Sequence, residues 1–324
     1  MKYKYTKLYV KLLVTILLFV GVLSNIDLES FLDILNKISI NNFTIVFLIV
    51  LVQAFIACFR WSFVFNLLNI TINKMNIIQI YFIGAFFNQV LPTSVGGDAA
   101  KMFYIYGLIK RKTDSVILVL IDRIYGMIGL VLLCFFALPP LSSVISNNIA
   151  YYSLLALLII LSTLIIFTFY LDYIPTTMNP WGIKSGLSML SKRLRFCFKS
   201  TGISFSIIIL STIIHLLSFA AIYILLIGLG IEVNIFNFLI ILPPIMLLTM
   251  MPVSIAGWGL REGVMVIGMS YISVPPEYAL IVSIMFGIAL LLVGIVGGGI
   301  WIIFKDEIVS KKNPEHEILE RKVL

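Results

Sequence analysis

Residues 77–107 read IIQIYFIGAFFNQVLPTSVGGDAAKMFYIYG, an apolar stretch broken at its centre by Pro92, Gly96 and Gly97. A second stretch, 236–271, contains ILPPIMLLTMMPVSIAGWGLREGVMVIG and breaks at Pro252, Gly257 and Gly259. Proline cannot continue the helical hydrogen-bond ladder, and glycine allows tight backbone paths. Each stretch is therefore either a kinked span or two half-helices that enter and return on one side. The distinction decides the fold, because a hairpin leaves the chain on the face it came from. The two breaks also match one another. LPTSVGGDAAK, 91–101, aligns with MPVSIAGWGLR, 251–261, at a constant offset of 160, pairing Pro92 with Pro252, Ser94 with Ser254, Gly97 with Gly257 and Lys101 with Arg261.

The rest of the 324-residue chain sets the solvent in which these breaks must live. With 61% apolar and 12% charged residues and a mean hydropathy of +1.11, an ordinary soluble globule is excluded. Six further runs, near 9–26, 43–66, 115–138, 150–171, 203–229 and 279–304, are long enough to cross about 30 Å of hydrocarbon as helices. The first, with its basic approach MKYKYTKLYVK, imitates a secretory signal, but no convincing small-residue cleavage site follows and it is read as a span. Cys58, Cys134 and Cys197 are scattered and form no disulfide framework or metal spacing. The net charge of +8 matters less than its placement, since Lys and Arg cluster in short loops.

Those loops select the hairpin reading. Lys2, Lys4, Lys7 and Lys11 place the N-terminus in the cytoplasm; Asp27, Glu29 and Asp33 fall outside; Lys74 and the run Lys110, Arg111, Lys112 both fall inside. Both ends of 77–107 are thus cytoplasmic. The uncharged segment 139–149 fits outside, and Lys184, Lys192, Arg193, Arg195 and Lys199 put the central loop inside. Glu232 and Glu277 flank the second stretch, so its ends fit the outer face, and the tail with Lys305, Lys311, Lys312, Arg321 and Lys322 returns inside. The expected fold is an all-α integral membrane protein of six full transmembrane helices plus two re-entrant helical hairpins. Three crossings per half is odd, so the halves form an inverted-topology repeat. Residues 1–149 make the first half; 150–304 make the second, with a cytoplasmic insertion at 172–202; 305–324 is a polar cytoplasmic tail. Within the insertion, 186–200 reads as an amphipathic interfacial helix or simply as a basic inside loop.

Non-helical backbone at membrane depth needs a covering or a wet cavity. Ser94 or Ser254 would cap the returning half-helices, whose N–H groups would point to the bilayer interior and suit phosphate or carboxylate. The competing reading is a pair of kinks closed by packing. Asp98, Lys101, Asp122, Arg123, Arg261 and Glu262 lie near these breaks and sum to zero charge. They are either mutually paired structural ions or the lining of a cavity for a headgroup bearing both signs. His215 either senses protonation or binds a polar group on the substrate path, or bonds one helix to another. Trp258 either stacks on a ligand or anchors the hairpin, and Trp61 and Trp301 read as interfacial anchors. VGIVGGG, 293–299, reads as close helix packing. No zincin, serine-hydrolase, Walker or Cys/His pattern is present, so no catalytic residue, cofactor or metal is expected.

NQVLPTSVGGDAAK, the segment IDRIYGMIGL at 121–130, and MPVSIAGWGLREG together resemble the flippase-like integral membrane family that includes the N-terminal membrane domain of lysylphosphatidylglycerol synthase/flippase. The resemblance runs from about residue 8 to 304. It implies a lipid-handling membrane domain with re-entrant helices, and functional weight for Pro92, Gly96, Gly97, Asp98 and Lys101, for Asp122 and Arg123, and for Pro252, Gly257, Gly259, Arg261 and Glu262. Thr93 and Ser94 stand where the family commonly has glycines, and Lys101 stands where Arg is common. The short tail after 304 leaves no room for a soluble aminoacyl-transferase domain, so this chain is not expected to make lysylphosphatidylglycerol itself.

The expected activity is translocation of a polar-headed, phosphate-containing lipid between leaflets of the cytoplasmic membrane, with membrane lipids rather than nucleic acid as partners. A small-solute secondary transporter is the alternative, and an accessory subunit of a lipid- or glycan-synthesis enzyme is a third reading. A lipid carrier needs a lateral opening to acyl chains, whereas a solute carrier needs a centre closed to lipid.

Overall fold

A computed structural model of the chain describes residues 33–34, 37–91, 95–145, 147–173, 183–250 and 257–310. Their order is α1 (Ile40–Leu67), α2 (Lys74–Val90), α3 (Gly96–Ile109), α4 (Lys112–Val144), α5 (Asn148–Thr168), a single 3₁₀ turn (Leu171–Tyr173), α6 (Ile183–Lys199), α7 (Thr201–Gly228), α8 (Ile235–Thr249), α9 (Leu260–Ser270) and α10 (Pro276–Ser310). The chain is an all-helical, multi-pass integral membrane protein. Among the described residues five helices, α1, α4, α5, α7 and α10, are long and apolar enough to cross a membrane. They correspond to five of the six expected spans; the run at 9–26 lies outside the described residues.

Both interrupted stretches are pairs of short helices rather than continuous spans. At 1.5 Å per residue, the 17 residues of α2 and 14 of α3 reach about 25 and 21 Å, and the 15 of α8 and 11 of α9 about 22 and 16 Å, short of a full crossing. In each pair the chain doubles back. A Cβ on Gly97 would lie 2.0 Å from the carbonyl oxygen of Gly84, and one on Gly268 would lie 2.4 Å from the side chain of Ile245. Contacts this close across a break arise only when the second helix folds against the first.

Local chemistry explains where the short pairs begin. α1 and α7 each end in a left-handed residue, Asn69 (φ 54°) and Gly230 (φ 78°). In both turns the next N–H reaches back to a carbonyl five residues earlier, Ile70 to Phe65 and Ile231 to Leu226. Asn73 and Asn234 then cap α2 and α8, their side-chain oxygens accepting from Met75 and Phe236 N–H, each at 2.9 Å. The two turns are related residue by residue at an offset of 161.

Packing follows the same pairing. α1 packs along α7; α2 lies against α10 and α8 against α4; α2 with α3 and α8 with α9 form the two doubled-back units, which rest on α4 and α10 respectively. Gly294, Gly297 and Gly298 bring α10 onto α2, and a Cβ on Gly297 would fall 1.9 Å from the Phe82 carbonyl oxygen. The glycine run 293–299 is thus close helix packing, as its sequence suggests. Trp61, Phe65, Phe82, Tyr125, Phe219 and Phe238 fill the centre. Trp61 is wholly enclosed, which corrects its reading as an interfacial anchor. Trp301 donates to the Tyr104 hydroxyl at 2.7 Å, tying α10 to α3. α5 stands outermost, with Ile159, Ile160, Leu164, Ile166 and Phe167 exposed, as suits a helix solvated by acyl chains.

The segment 186–200 falls within a helix, α6, and its Leu190, Leu194 and Cys197 face is buried against protein. Ser191 and Arg195 both donate to the Phe169 carbonyl at 2.6 Å and to Asp172 Oδ1 at 2.8 Å, and Arg193 pairs with Asp114 at the start of α4. Met189 and Phe196 remain on the outer side. Much of the apolar surface expected to meet the bilayer therefore meets the protein.

Candidate functional site

Six charged positions near the breaks become two clusters. The first assembles where α1, α3 and α4 meet. Asp98, in the first turn of α3, pairs with Arg123 of α4. Asp122, its neighbour, forms an ion pair with Arg60 of α1, Nη2 to Oδ1 2.9 Å, while Arg60 Nη1 donates to Ser211 Oγ of α7 at 2.9 Å. Gly126 lies one turn beyond Asp122; a Cβ there would stand 3.2 Å from Arg60 Nη1, so small size at this position admits the guanidinium. His215 Nε2 lies 3.1 Å from the Gly126 carbonyl oxygen, a hydrogen bond between α7 and α4. Higher on α1, Gln53 donates to Ser218 Oγ of α7 at 2.9 Å.

Lys101 completes this cluster from α3. Its stem runs past α2 in a slot that requires Gly84, where a Cβ would meet Lys101 Cε at 2.6 Å. Its ammonium sits over the rings of Tyr81, 4.1 Å from the centroid, and Trp61, 5.2 Å. Asp98, Lys101, Asp122 and Arg60 are all buried, whereas the Arg123 side chain keeps 39% of its surface exposed. Sequence reasoning missed Arg60. The available signal was a charged residue inside the apolar run IACFRWSFVF, costly at membrane depth without a partner. With it, the cluster holds three cations and two carboxylates.

The second cluster is tighter and self-contained. Gly257 and Gly259 adopt φ of 83° and 81°, a region that side-chain-bearing residues rarely enter. Their path delivers Glu262, fully buried, to the start of α9, where one oxygen accepts from Gly259 N–H at 2.6 Å. The other accepts from Arg261 Nη2 at 2.7 Å and from Ser283 Oγ of α10 at 3.2 Å. Arg261 stacks over the Trp258 ring, 4.7 Å from its centroid. Gly287 leaves room for the guanidinium, since a Cβ there would lie 2.1 Å from Nη2.

These geometries revise the capping expectation. The N-cap of α3 is Val95 and that of α9 is Gly259. Asn88 Oδ1 accepts from Gly97 N–H at 2.9 Å, and Glu262 occupies the start of α9. The protein's own acceptors thus take donors that sequence reasoning had reserved for an anion. Pro92, Ser94, Pro252 and Ser254 lie outside the described residues. Gly96 is buried at the start of α3 against Leu91 and Phe87. No hydrogen bond or ion pair joins the two clusters among the described residues.

A separate groove of about 280 Å³ opens between α5 and the α8–α9 pair. Leu154, Leu157, Ile245, Leu248, Val264 and Ile267 are among its walls, and none of the charged site residues lines it.

Residues 8–298 match the family described as the lysylphosphatidylglycerol synthase TM region, and the chain belongs to that family. It is also similar to the UPF0104 membrane protein MJ1595 of Methanocaldococcus jannaschii, with 23% identity over 333 residues, spanning 96% of this chain and 99% of that protein.

Proposed function

We propose that this protein carries a polar-headed, phosphate-containing lipid between leaflets of the cytoplasmic membrane, acting as a carrier rather than an enzyme. The observation that carries this reading is the cluster of Arg60, Asp98, Lys101, Asp122 and Arg123 at the doubled-back pair α2–α3. Buried ions in such a place are costly and fit a headgroup path. Membership of a family named for the membrane region of a lipid synthase supports a lipid as cargo. Arg123, the most exposed member, is the proposed headgroup contact: it would exchange the Asp98 carboxylate for a phosphate, which its planar fork can grip by two bonds. The apolar groove beside α5 offers a place for an acyl chain apart from the charged cluster.

The proposed architecture is an inverted repeat of 1–149 and 150–304, with both hairpins re-entrant and both termini cytoplasmic. Matching helix order, the twin turns at Asn69 and Gly230, and the reciprocal packing of α2 on α10 and α8 on α4 support it. Rocking of such halves would expose the cluster to alternate faces. The closed Arg261, Glu262 and Ser283 group favours a structural role for the second motif, so the two halves contribute unequally.

Reconstitution tests this reading. Vesicles holding the purified chain are supplied with fluorescent phosphatidylglycerol, phosphatidylethanolamine and polyprenyl phosphate, and headgroup movement is followed by chemical quenching from outside. At least one lipid should cross faster than in empty vesicles, and Arg123→Ala should slow it by about tenfold, the effect of losing roughly 1.4 kcal/mol of charge-assisted binding. No crossing by any of these lipids with a folded chain would favour the accessory-subunit reading.

A further inference from the structure

The first cluster contains one cation more than its carboxylates can neutralise. Asp98 is taken by Arg123 and Asp122 by Arg60. Lys101 is left over: among the described residues its Nζ makes no hydrogen bond or ion pair, the faces of Tyr81 and Trp61 lie over its charge, and Asp98 and Asp122 act on it only from beyond ion-pair distance. The residue is buried and its stem fills the Gly84 slot, which fixes where the ammonium sits. Arginine does not release its proton in proteins, whereas lysine does. Lys101 is therefore the one cation of the three that can bring the cluster to neutrality, by passing between Lys–NH3⁺ and Lys–NH2 with release of one H⁺.

The neighbouring groups couple this proton to a ligand. Facing Lys101 are Cys58 and Arg60 on α1, Tyr81 on α2, Asp98 on its own helix, and Asp122 and Arg123 on α4; α10 brings Trp301 to Tyr104 on α3. If an anionic headgroup draws Arg123 away from Asp98, that carboxylate loses its partner while remaining buried. An unpaired buried carboxylate is strongly disfavoured, and a protonated Lys101 on the same helix, three residues along, is the available replacement. Binding of the anion then favours a bound proton at Lys101, and release of the anion favours its loss.

We propose that Lys101 is a proton-binding site that couples lipid movement to a proton gradient. The coupling rests on the carrier reading above; the site does not. Two measurements separate them. In the first, the purified chain in detergent is titrated from about pH 5 to 10 while tryptophan fluorescence is recorded, because an ammonium over the Trp61 ring perturbs its emission. The native chain should show a step that is missing in both Lys101→Arg and Lys101→Met. A native curve without that step, or the same step in both folded variants, would overturn the proton site whatever lipids do.

In the second, vesicles with labelled phosphatidylglycerol are given a transmembrane pH difference of one unit. That difference should shift the steady-state lipid distribution by up to about tenfold for each proton exchanged. Neither Lys101→Arg nor Lys101→Met should respond to the gradient. Lipid crossing in the native chain with no response to the gradient would overturn the coupling and leave the carrier reading intact. A fluorescence step without any lipid crossing would sink the carrier reading and the coupling, and leave the proton site standing.

Discussion

Arg60 and Asp122 show what a buried ion pair decides and what it leaves open. Their side chains meet at 2.9 Å with about a tenth of each exposed. Arg60→Met should destabilise the chain by roughly 3–5 kcal/mol, because Asp122 would stay buried without its partner. Arg60→Met combined with Asp122→Leu should recover most of that loss, since an apolar pair of similar volume is often neutral. Thermal unfolding in detergent measures both; recovery of stability without recovery of lipid movement would separate the pair's chemistry from its packing. The second cluster makes a different demand. Gly287→Ala puts a methyl group where Arg261 Nη2 now lies and should cost about 1–3 kcal/mol by overpacking. Arg261→Lys should retain more stability than Arg261→Ala, which strands the fully buried Glu262. Equal unfolding temperatures for Lys and Ala forms would contradict that assignment. At this scale the sequence was a partial guide. Asp98, Asp122, Arg123, Arg261 and Glu262 stood out as charges among apolar neighbours, but which of them pair depends on helices far apart in the chain. Arg60 and Ser211 are 151 residues apart, and Trp61 looks like any tryptophan at a span end until α2 and α3 close over it.

Among the helices, the breaks were legible because proline and glycine act locally, whereas docking was not. Nothing in 183–199 announces that Ser191 and Arg195 will reach back to Phe169 and Asp172. That contact carries a pH signature. Hydrogen bonds from Arg195, and secondarily Ser191, hold the Asp172 carboxyl well below its usual 3.8. A carboxylate lowered by folding adds stability that is fully present above its unfolded value near pH 4 and fades as pH falls through the folded value. Protection of the α6 amides, relative to their intrinsic exchange at the same pH, should therefore fall below about pH 4 in the native chain, while Asp172→Asn should lack that protection at neutral pH too. Unchanged exchange in Asp172→Asn would show that apolar burial of Leu190 and Leu194 alone holds α6. The start of α3 is equally specific. Gly97→Ala would drive a methyl group into the Gly84 carbonyl, so α3 should separate from α2 and the Lys101 slot should open. The serines were plausible caps by residue type, yet the backbone places Val95 and Gly259 at those positions, a matter of where each turn ends rather than of propensity.

For the whole molecule, the turns after α1 and α7 match and the two short helix pairs take reciprocal packing partners. The cluster at α2–α3 leaves Lys101 without a carboxylate of its own, and the cluster at the start of α9 closes its charges on one another. Five long apolar helices set the membrane as solvent, and the short pairs α2–α3 and α8–α9 lie between them in chain order. A carrier of the proposed kind needs those pairs to enter from opposite faces, each returning to the face it left. Single-cysteine labelling in intact cells, in a chain with Cys58, Cys134 and Cys197 replaced, tests this most directly. Cysteines at positions 74 and 111 should both react only with reagent that reaches the cytoplasm, and cysteines at 232 and 273 should react with impermeant reagent from outside as well. Opposite labelling of 74 and 111, or labelling of all four positions from one side, would contradict the inverted arrangement and with it the proposed carrier mechanism.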